Sequence, residues 1–272
     1  MSEQPYQLGF VGGGKLAGSV IRGLLLKKFC RPQQIIVSEP NAETRAPLQN
    51  ELGISIARDN RHLAASAETI FLGVKPQLLL PILREIPDGL EHKLVVSLAA
   101  GVRIKIIEAV TPARVMRVIT NTPSAIGRAA SALAAGSRTT SADREKVRTI
   151  FSAIGIAVEV DDNEIDAVTA LGGSGPAFVY TLIKAFAAGA IKAGLKNERD
   201  AWQLAAQTVS GAAELALTSG KTPEELIAMV VTPGGTTAAG LQVMEQHLTA
   251  AGISAAVEAA ADRGREMTKE NQ

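Results

Sequence analysis

Short apolar runs alternate with amphipathic stretches through the first half of the chain. Residues 7–11, 35–38, 69–73, 94–98, 115–120, 132–136 and 156–160 are rich in β-branched and other apolar side chains and predict strands. Helix-length segments lie among them at 15–28, 41–52 and 141–154. Strands alternating with helices predict βαβ units with right-handed crossovers, hence a mainly parallel sheet. After Val160 the pattern changes. The polar step Asp161-Asp162-Asn163-Glu164 ends the strand-like runs, and apolar positions then recur at helical spacing over 165–171, 176–193, 198–219, 223–230, 236–247 and 254–268. The expectation is a sheet domain over 1–162 followed by a helical domain over 163–272. In the last helix Ala256, Val257, Ala260, Ala261, Gly264 and Met267 share a face of small side chains, which reads either as core or as intersubunit packing.

Composition narrows this picture. Hydrophobic residues make up 46% and aromatic residues only 3%, so the core must be built from Ala, Val, Ile and Leu. The balance of 28 Lys+Arg against 27 Asp+Glu argues against a nucleic-acid partner, which calls for a clustered basic surface. A single cysteine, Cys30, excludes an intrachain disulfide and fits a reducing compartment. The polar start of the chain lacks a signal-peptide pattern, and no uninterrupted apolar run reaches about 18 residues. The expectation is a cytoplasmic protein with no membrane partner.

The strand at 7–11 runs into Gly12-Gly13-Gly14-Lys15-Leu16-Ala17 and then into a helix. This is G-x-G-x-x-A in the strand–turn–helix setting that a dinucleotide fingerprint requires. Gly12 permits the tight turn, Gly14 lets the backbone approach a pyrophosphate, and Ala17 lets the helix lie close on the sheet. Unpaired N–H groups at the helix start then face the phosphates. Candidate cofactor contacts here are Val11, Gly12, Gly13, Gly14, Lys15 and Leu16, joined by Ser38 and Glu39 at the end of the second strand and by Asn60. Glu39 stands where an acid accepts the ribose hydroxyls of NAD and repels a 2′-phosphate. Arg45 and Arg58 are within reach from neighbouring turns and argue the other way. NADPH or NADH therefore stays open.

Further motifs follow in order: Val74-Lys75-Pro76-Gln77, Ser97-Leu98-Ala99-Ala100-Gly101, Asn121-Thr122-Pro123, Gly173-Ser174-Gly175-Pro176-Ala177 and Thr232-Pro233-Gly234-Gly235-Thr236-Thr237. With Gly9-Phe10-Val11-Gly12-Gly13-Gly14, their order and spacing resemble pyrroline-5-carboxylate reductases over essentially the whole chain. The resemblance implies an α/β fold, a Rossmann-type sheet domain followed by an all-helical dimerisation domain that interlocks with its partner's. It implies reduction of the small-molecule substrate 1-pyrroline-5-carboxylate to proline by hydride transfer from NAD(P)H to the C=N bond, in a homodimer or a larger homo-oligomer.

It further implies cofactor contacts at Val74, Lys75, Pro76, Ala99, Ala100, Gly101 and Asn121. On residue chemistry alone Lys75 reads equally as a solvated lysine before a helix-start proline, and Asn121 as an Asx-turn. The segment 232–237 is implied to hold the substrate carboxylate through Thr232, Gly234, Gly235 and Thr236. Thr237 is the candidate for the ring nitrogen, and so for the catalytic residue. Two glycines and two threonines at a helix start make an anion cradle without a cation, or simply a capped helix. Ser174 and Gly175 are expected in the same pocket, and Asp162 is the candidate acid toward the iminium nitrogen. The chain departs from the family at Gly172, usually Ser, at Phe178, usually Tyr, and at Ile119-Thr120 and Ala188. His62, His92 and His247 are far apart, so no metal site is expected. The competing functions are reduction of another cyclic imine acid and non-catalytic dinucleotide sensing.

Overall fold

The computed structural model describes residues 6–86 and 90–271. Eight strands form one sheet: β1 (Tyr6–Val11), β2 (Ile35–Ser38), β3 (Ser55–Ile56), β4 (Ala67–Leu72), β5 (Leu94–Ser97), β6 (Arg114–Ile119), β7 (Ala129–Ala135) and β8 (Gly155–Glu159). Their spatial order is β3-β2-β1-β4-β5-β6-β7-β8. All neighbours are parallel except β6 and β7, which are antiparallel. The reason is the link between them. A parallel return needs a crossover of a dozen residues or so, whereas here the one-turn segment Thr122–Ile126 and left-handed Gly127 (φ 72°) turn the chain straight back.

Helices α1 (Lys15–Leu26), α2 (Ala42–Asn50), α3 (Asn60–Ser66), α4 (Pro76–Glu85), α5 (Ile104–Glu108) and α6 (Ser141–Ser152) join the strands. Val20, Ile21 and Leu24 of α1 pack with Phe10, Phe71 and Phe151 on one side of the sheet, where Phe10 and Phe71 stack at 4.6 Å. Leu63, Leu79, Leu83 and Ile107 cover Leu72, Val95 and Val115 on the other. Burying one such side chain stabilises by roughly 1.5–3 kcal/mol. Covered on both faces, the parallel strands read as continuous apolar runs in the sequence.

The chain divides into two compact units, residues 1–174 with 258–272, and residues 175–257. The division falls after Ser174, later than the expected 162/163. The helical turn α7 (Ile165–Val168) and the π-helical turn Thr169–Gly173 bury Ile165, Asp166, Ala170 and Gly172 and belong with the sheet. So do the last turns of a helix longer than expected, α12 (Thr249–Glu270), through Ala261, Gly264 and Thr268.

The second unit holds α8 (Gly175–Lys192), α9 (Glu198–Thr218), α10 (Pro223–Ala228) and α11 (Thr236–Gln246). Within these four helices only Ile183, Ala201 and Ala205 are buried. Tyr180, Phe186, Trp202, Leu204, Leu215 and Leu217 are exposed on the single chain. The run Ile165–Lys192 is long and apolar enough to cross a membrane, with a mean hydropathy of 1.2 over its best window. Counting uninterrupted apolar residues misses it, because glycines, threonines, Ser174 and the charged Asp166 and Lys184 interrupt the run.

Candidate active site

β1, β4, β5 and β6 are parallel neighbours, so the loops after them gather along one edge of the sheet, with the end of β2 beside β1. Val11, the 12–14 loop, Val74, Lys75, Pro76, Ala99, Ala100, Gly101 and Asn121 therefore lie along that edge, where open α/β sheets bind ligands. Local backbone chemistry explains the first loop. Gly12 has φ 89°, and a Cβ there would stand 2.7 Å from the carbonyl oxygen of Gly73. Its N–H donates to Ser38 O at 2.8 Å. Ala17 is fully buried, and a Cβ on Gly73 would meet the Ala17 Cβ at 2.8 Å, so both residues must be small for α1 to lie on the sheet.

Gly14 is the N-cap of α1 and provides no side-chain cap. A Cβ on Gly14 would meet nothing within 4 Å. The first turn of a twelve-residue helix thus opens onto free space with no acidic residue in it. That is a cradle for a phosphate pair: backbone donors, a helix dipole and room for close approach. The residues present fit a dinucleotide.

Glu39 is held rigidly beside this loop. Its Oε2 accepts the N–H of Gly13 at 2.8 Å and its Oε1 accepts the N–H of Asn41 at 2.9 Å. The Ser38 hydroxyl donates to Asn60 Oδ1 at 2.7 Å, fixing Asn60 next to the same strand end. Of the two candidate cations, Arg45 donates to the carbonyl of Glu39 at 3.2 Å, while Arg58 is exposed beside Asp59. Lys75 is exposed and immediately precedes Pro76, the first residue of α4.

The Asn121 side chain is taken up by neighbouring backbone. Its Nδ2 donates to Gly172 O at 2.9 Å and its Oδ1 accepts the Ala130 N–H at 3.3 Å. It joins the β6–β7 link to the π-helical turn, in which the Ser174 N–H donates to Thr169 O at 2.9 Å. Asp162 is likewise engaged within the sheet unit. Its Oδ1 accepts from Arg117 Nη1 at 2.5 Å and its Oδ2 accepts the Ile104 N–H at 3.1 Å. These two bonds tie Asp162 to β6 and to the start of α5. Arg103, Arg117 and Asp166 complete this buried network and were not anticipated. The signal for it was a charged residue, Arg117, inside the otherwise apolar run 115–119.

In the helical unit, residues 232–237 form a tight loop leading into α11. The Gly235 N–H donates to Thr232 O at 2.9 Å, and Gly234 takes φ 70°. Gly235 is the N-cap of α11 and gives no side-chain cap; the first turn holds no acid. Thr236 is exposed and Thr237 half-buried, and both sit in that first turn, where helix N–H groups have no partner within the helix. Ser174 and Gly175 are half-buried where the two units meet in sequence.

Known proteins match both halves. Residues 162–267 match the family model for pyrroline-5-carboxylate reductase dimerisation, and residues 7–101 match that for coenzyme F420-dependent NADP oxidoreductases. The pyrroline-5-carboxylate reductase of a Synechocystis strain is 39% identical over 97% of this chain and 98% of its own length. That of Pseudomonas aeruginosa is 36% identical over 97% of both. Among solved structures, the NADP-bound pyrroline carboxylate reductase of Plasmodium falciparum superposes with a TM-score of 0.88 at 26% identity, covering 98% of this chain and all of that one. The pyrroline-5-carboxylate reductase of Coxiella burnetii gives 0.88 at 30% identity, covering 97% and 98%.

Proposed function

The chain belongs to the pyrroline-5-carboxylate reductase family, and from that premise we propose which of its residues do what. It is an NAD(P)H-dependent enzyme that reduces 1-pyrroline-5-carboxylate to proline. The observation that carries the residue assignment is the pair of uncapped, acid-free helix starts, at Gly14 and at Gly235. The start of α1, with Gly14, Lys15 and Leu16, takes the pyrophosphate, while Gly13 ties the loop to Glu39. Glu39, Ser38 and Asn60 face the adenosine ribose, and the turns at 74–76 and 99–101 face the nicotinamide. Bound there, NADPH or NADH supplies the hydride for the C=N carbon. The start of α11 holds the substrate carboxylate through the backbone of Gly234 and Gly235 and the hydroxyls of Thr232 and Thr236. Thr237 donates to the ring nitrogen. Ser174 and Gly175 are assigned to the substrate.

A protonated imine is already electrophilic, so the protein's part is orientation. Holding two reactants in near-attack geometry supplies roughly 7–11 kcal/mol. We place the subunit contact on the helical unit, whose apolar side chains stand open on the single chain. The family match to a dimerisation domain supports this, and cytoplasmic residence fits the one buried cysteine. The deciding assay follows nicotinamide absorbance with 1-pyrroline-5-carboxylate and with larger cyclic imine acids, for the parent, Thr237→Ala and Thr237→Ser. One oriented hydrogen bond to a charged group is worth roughly 1.5–3 kcal/mol. Thr237→Ala should therefore lose about one to two powers of ten in kcat/KM with dinucleotide affinity unchanged. Thr237→Ser should keep most of the activity. Equal kcat/KM for parent and Thr237→Ala removes Thr237 from the mechanism.

A further inference from the structure

The largest fully buried side chain among the described residues is a cation, Arg117, in the middle of β6. Burial pulls its guanidinium below the usual arginine value, and the charge of Asp162 opposes that pull. Nη1 pairs with Asp162, but Nε and Nη2 are buried and meet no acceptor among the described residues. Asp162 in turn accepts the Ile104 N–H at the start of α5, and its carbonyl accepts from Arg103. The second Arg103 nitrogen donates to Asp166 Oδ2 at 2.6 Å. Asp166 is buried and takes the Thr268 hydroxyl at 3.3 Å on its other oxygen, while Gly264 of α12 lies against its Cβ. Three segments, 103–104, Arg117 and 264–268, thus converge on two carboxylates.

Such a network is a poor way to gain stability, since well-packed apolar side chains of similar volume commonly do as well or better. Its directional bonds do something apolar packing does not: they fix one register. What they fix is the turn at 99–101. Arg103 and Ile104 anchor its exit. Its entry is tied by the Ala99 N–H donating to Ser97 Oγ at 3.3 Å. Its crest, Gly101 at φ 71°, lies so close under α12 that an added Cβ would stand 3.1 Å from the Cβ of Met267. We infer that Arg103, Asp162, Asp166 and Arg117 form a positioning clamp that sets the 99–101 turn, and through it the nicotinamide side of the cofactor site. The inference rests on the assignment of that turn to the nicotinamide.

The test is calorimetric binding of NADH and of ADP-ribose, which lacks the nicotinamide, to the full-length parent, Arg103→Met, Arg103→Lys and the double variant Arg103→Met/Asp166→Asn. The double variant removes the charge that Arg103→Met would leave unpaired, keeps an acceptor for Thr268, and so stays informative where the single variant does not fold. ADP-ribose affinity should match the parent's throughout. The advantage of NADH over ADP-ribose should shrink about tenfold in the Met variants, the size of one misplaced hydrogen bond, and Arg103→Lys should recover most of it. An unchanged NADH to ADP-ribose ratio in folded variants overturns the clamp, as does an equal loss of both ligands, which marks a merely structural role. A parent that binds ADP-ribose as tightly as NADH overturns the assignment of the turn, and the clamp with it.

Discussion

Gly12 and Gly14 stand two positions apart and should fail in opposite ways when given a methyl group. At Gly12 the left-handed backbone and the nearby Gly73 carbonyl make alanine strained. The conformation alone costs about 1–2 kcal/mol, so Gly12→Ala should lower the thermal midpoint even without ligand. At Gly14 the added carbon enters open space. Gly14→Ala should melt like the parent but bind dinucleotide weakly, because the methyl group occupies the cradle. Matched melting curves for the two variants would refute this contrast. Glu39 makes a second residue-scale case. Two backbone donors hold its carboxylate beside the glycine loop. Glu39→Ser should raise kcat/KM for NADPH relative to NADH; an unmoved ratio means that the carboxylate does not face the ribose.

Helix α6 shows how one side chain holds an element. Thr140 accepts the Asp143 N–H, and the Asp143 carboxylate accepts the Thr140 N–H in return at 2.9 Å, with Arg114 of β6 donating to it at 2.8 Å. Burial alone would raise the Asp143 carboxyl, but the hydrogen bonds from Arg114 and Thr140 outweigh it and hold it below the usual carboxylate value. A depressed carboxyl contributes stability that is present above the unfolded value of about 3.9 and is lost as pH falls through the folded one. Asp143→Asn should therefore lower the melting temperature at neutral pH, and the gap to the parent should close on acidification below about pH 4. A gap independent of pH would sink the argument. This capping box is written in adjacent residues, as are the runs that became β1, β2 and β5. The reversal of β7 was not legible as direction, because an apolar run such as Ala129–Ala135 says strand but not which way it runs. β3 and α5 are too short to leave a period.

For the molecule as a whole, what was legible is what chemistry writes locally. The glycine loop sits where expected because turn, cradle and helix start occupy consecutive residues. The clamp was invisible because its bonds join positions 45, 63 and 102 residues apart. For the same reason the protein partners of Asp162 and Asn121 could not be read from the sequence. The helical unit makes its own prediction. With Trp202 and Leu204 open and little buried beneath them, a lone chain leaves much apolar surface in water. Light scattering at micromolar concentration should find no monomer for the parent, whereas Trp202→Glu/Leu204→Glu should yield smaller, inactive species. An active monomer would refute the placement of the contact.

The sheet unit is not one continuous stretch: its first 174 residues wait for 258–272. On a ribosome, the N-terminal portion emerges and can pair its strands early, as domains made first usually do. Yet Asp166 and the crest of the 99–101 turn stay uncovered until Gly264, Met267 and Thr268 have been synthesised. Until that stretch of α12 is made, the nascent sheet carries a carboxylate that only Arg103 among the described residues meets.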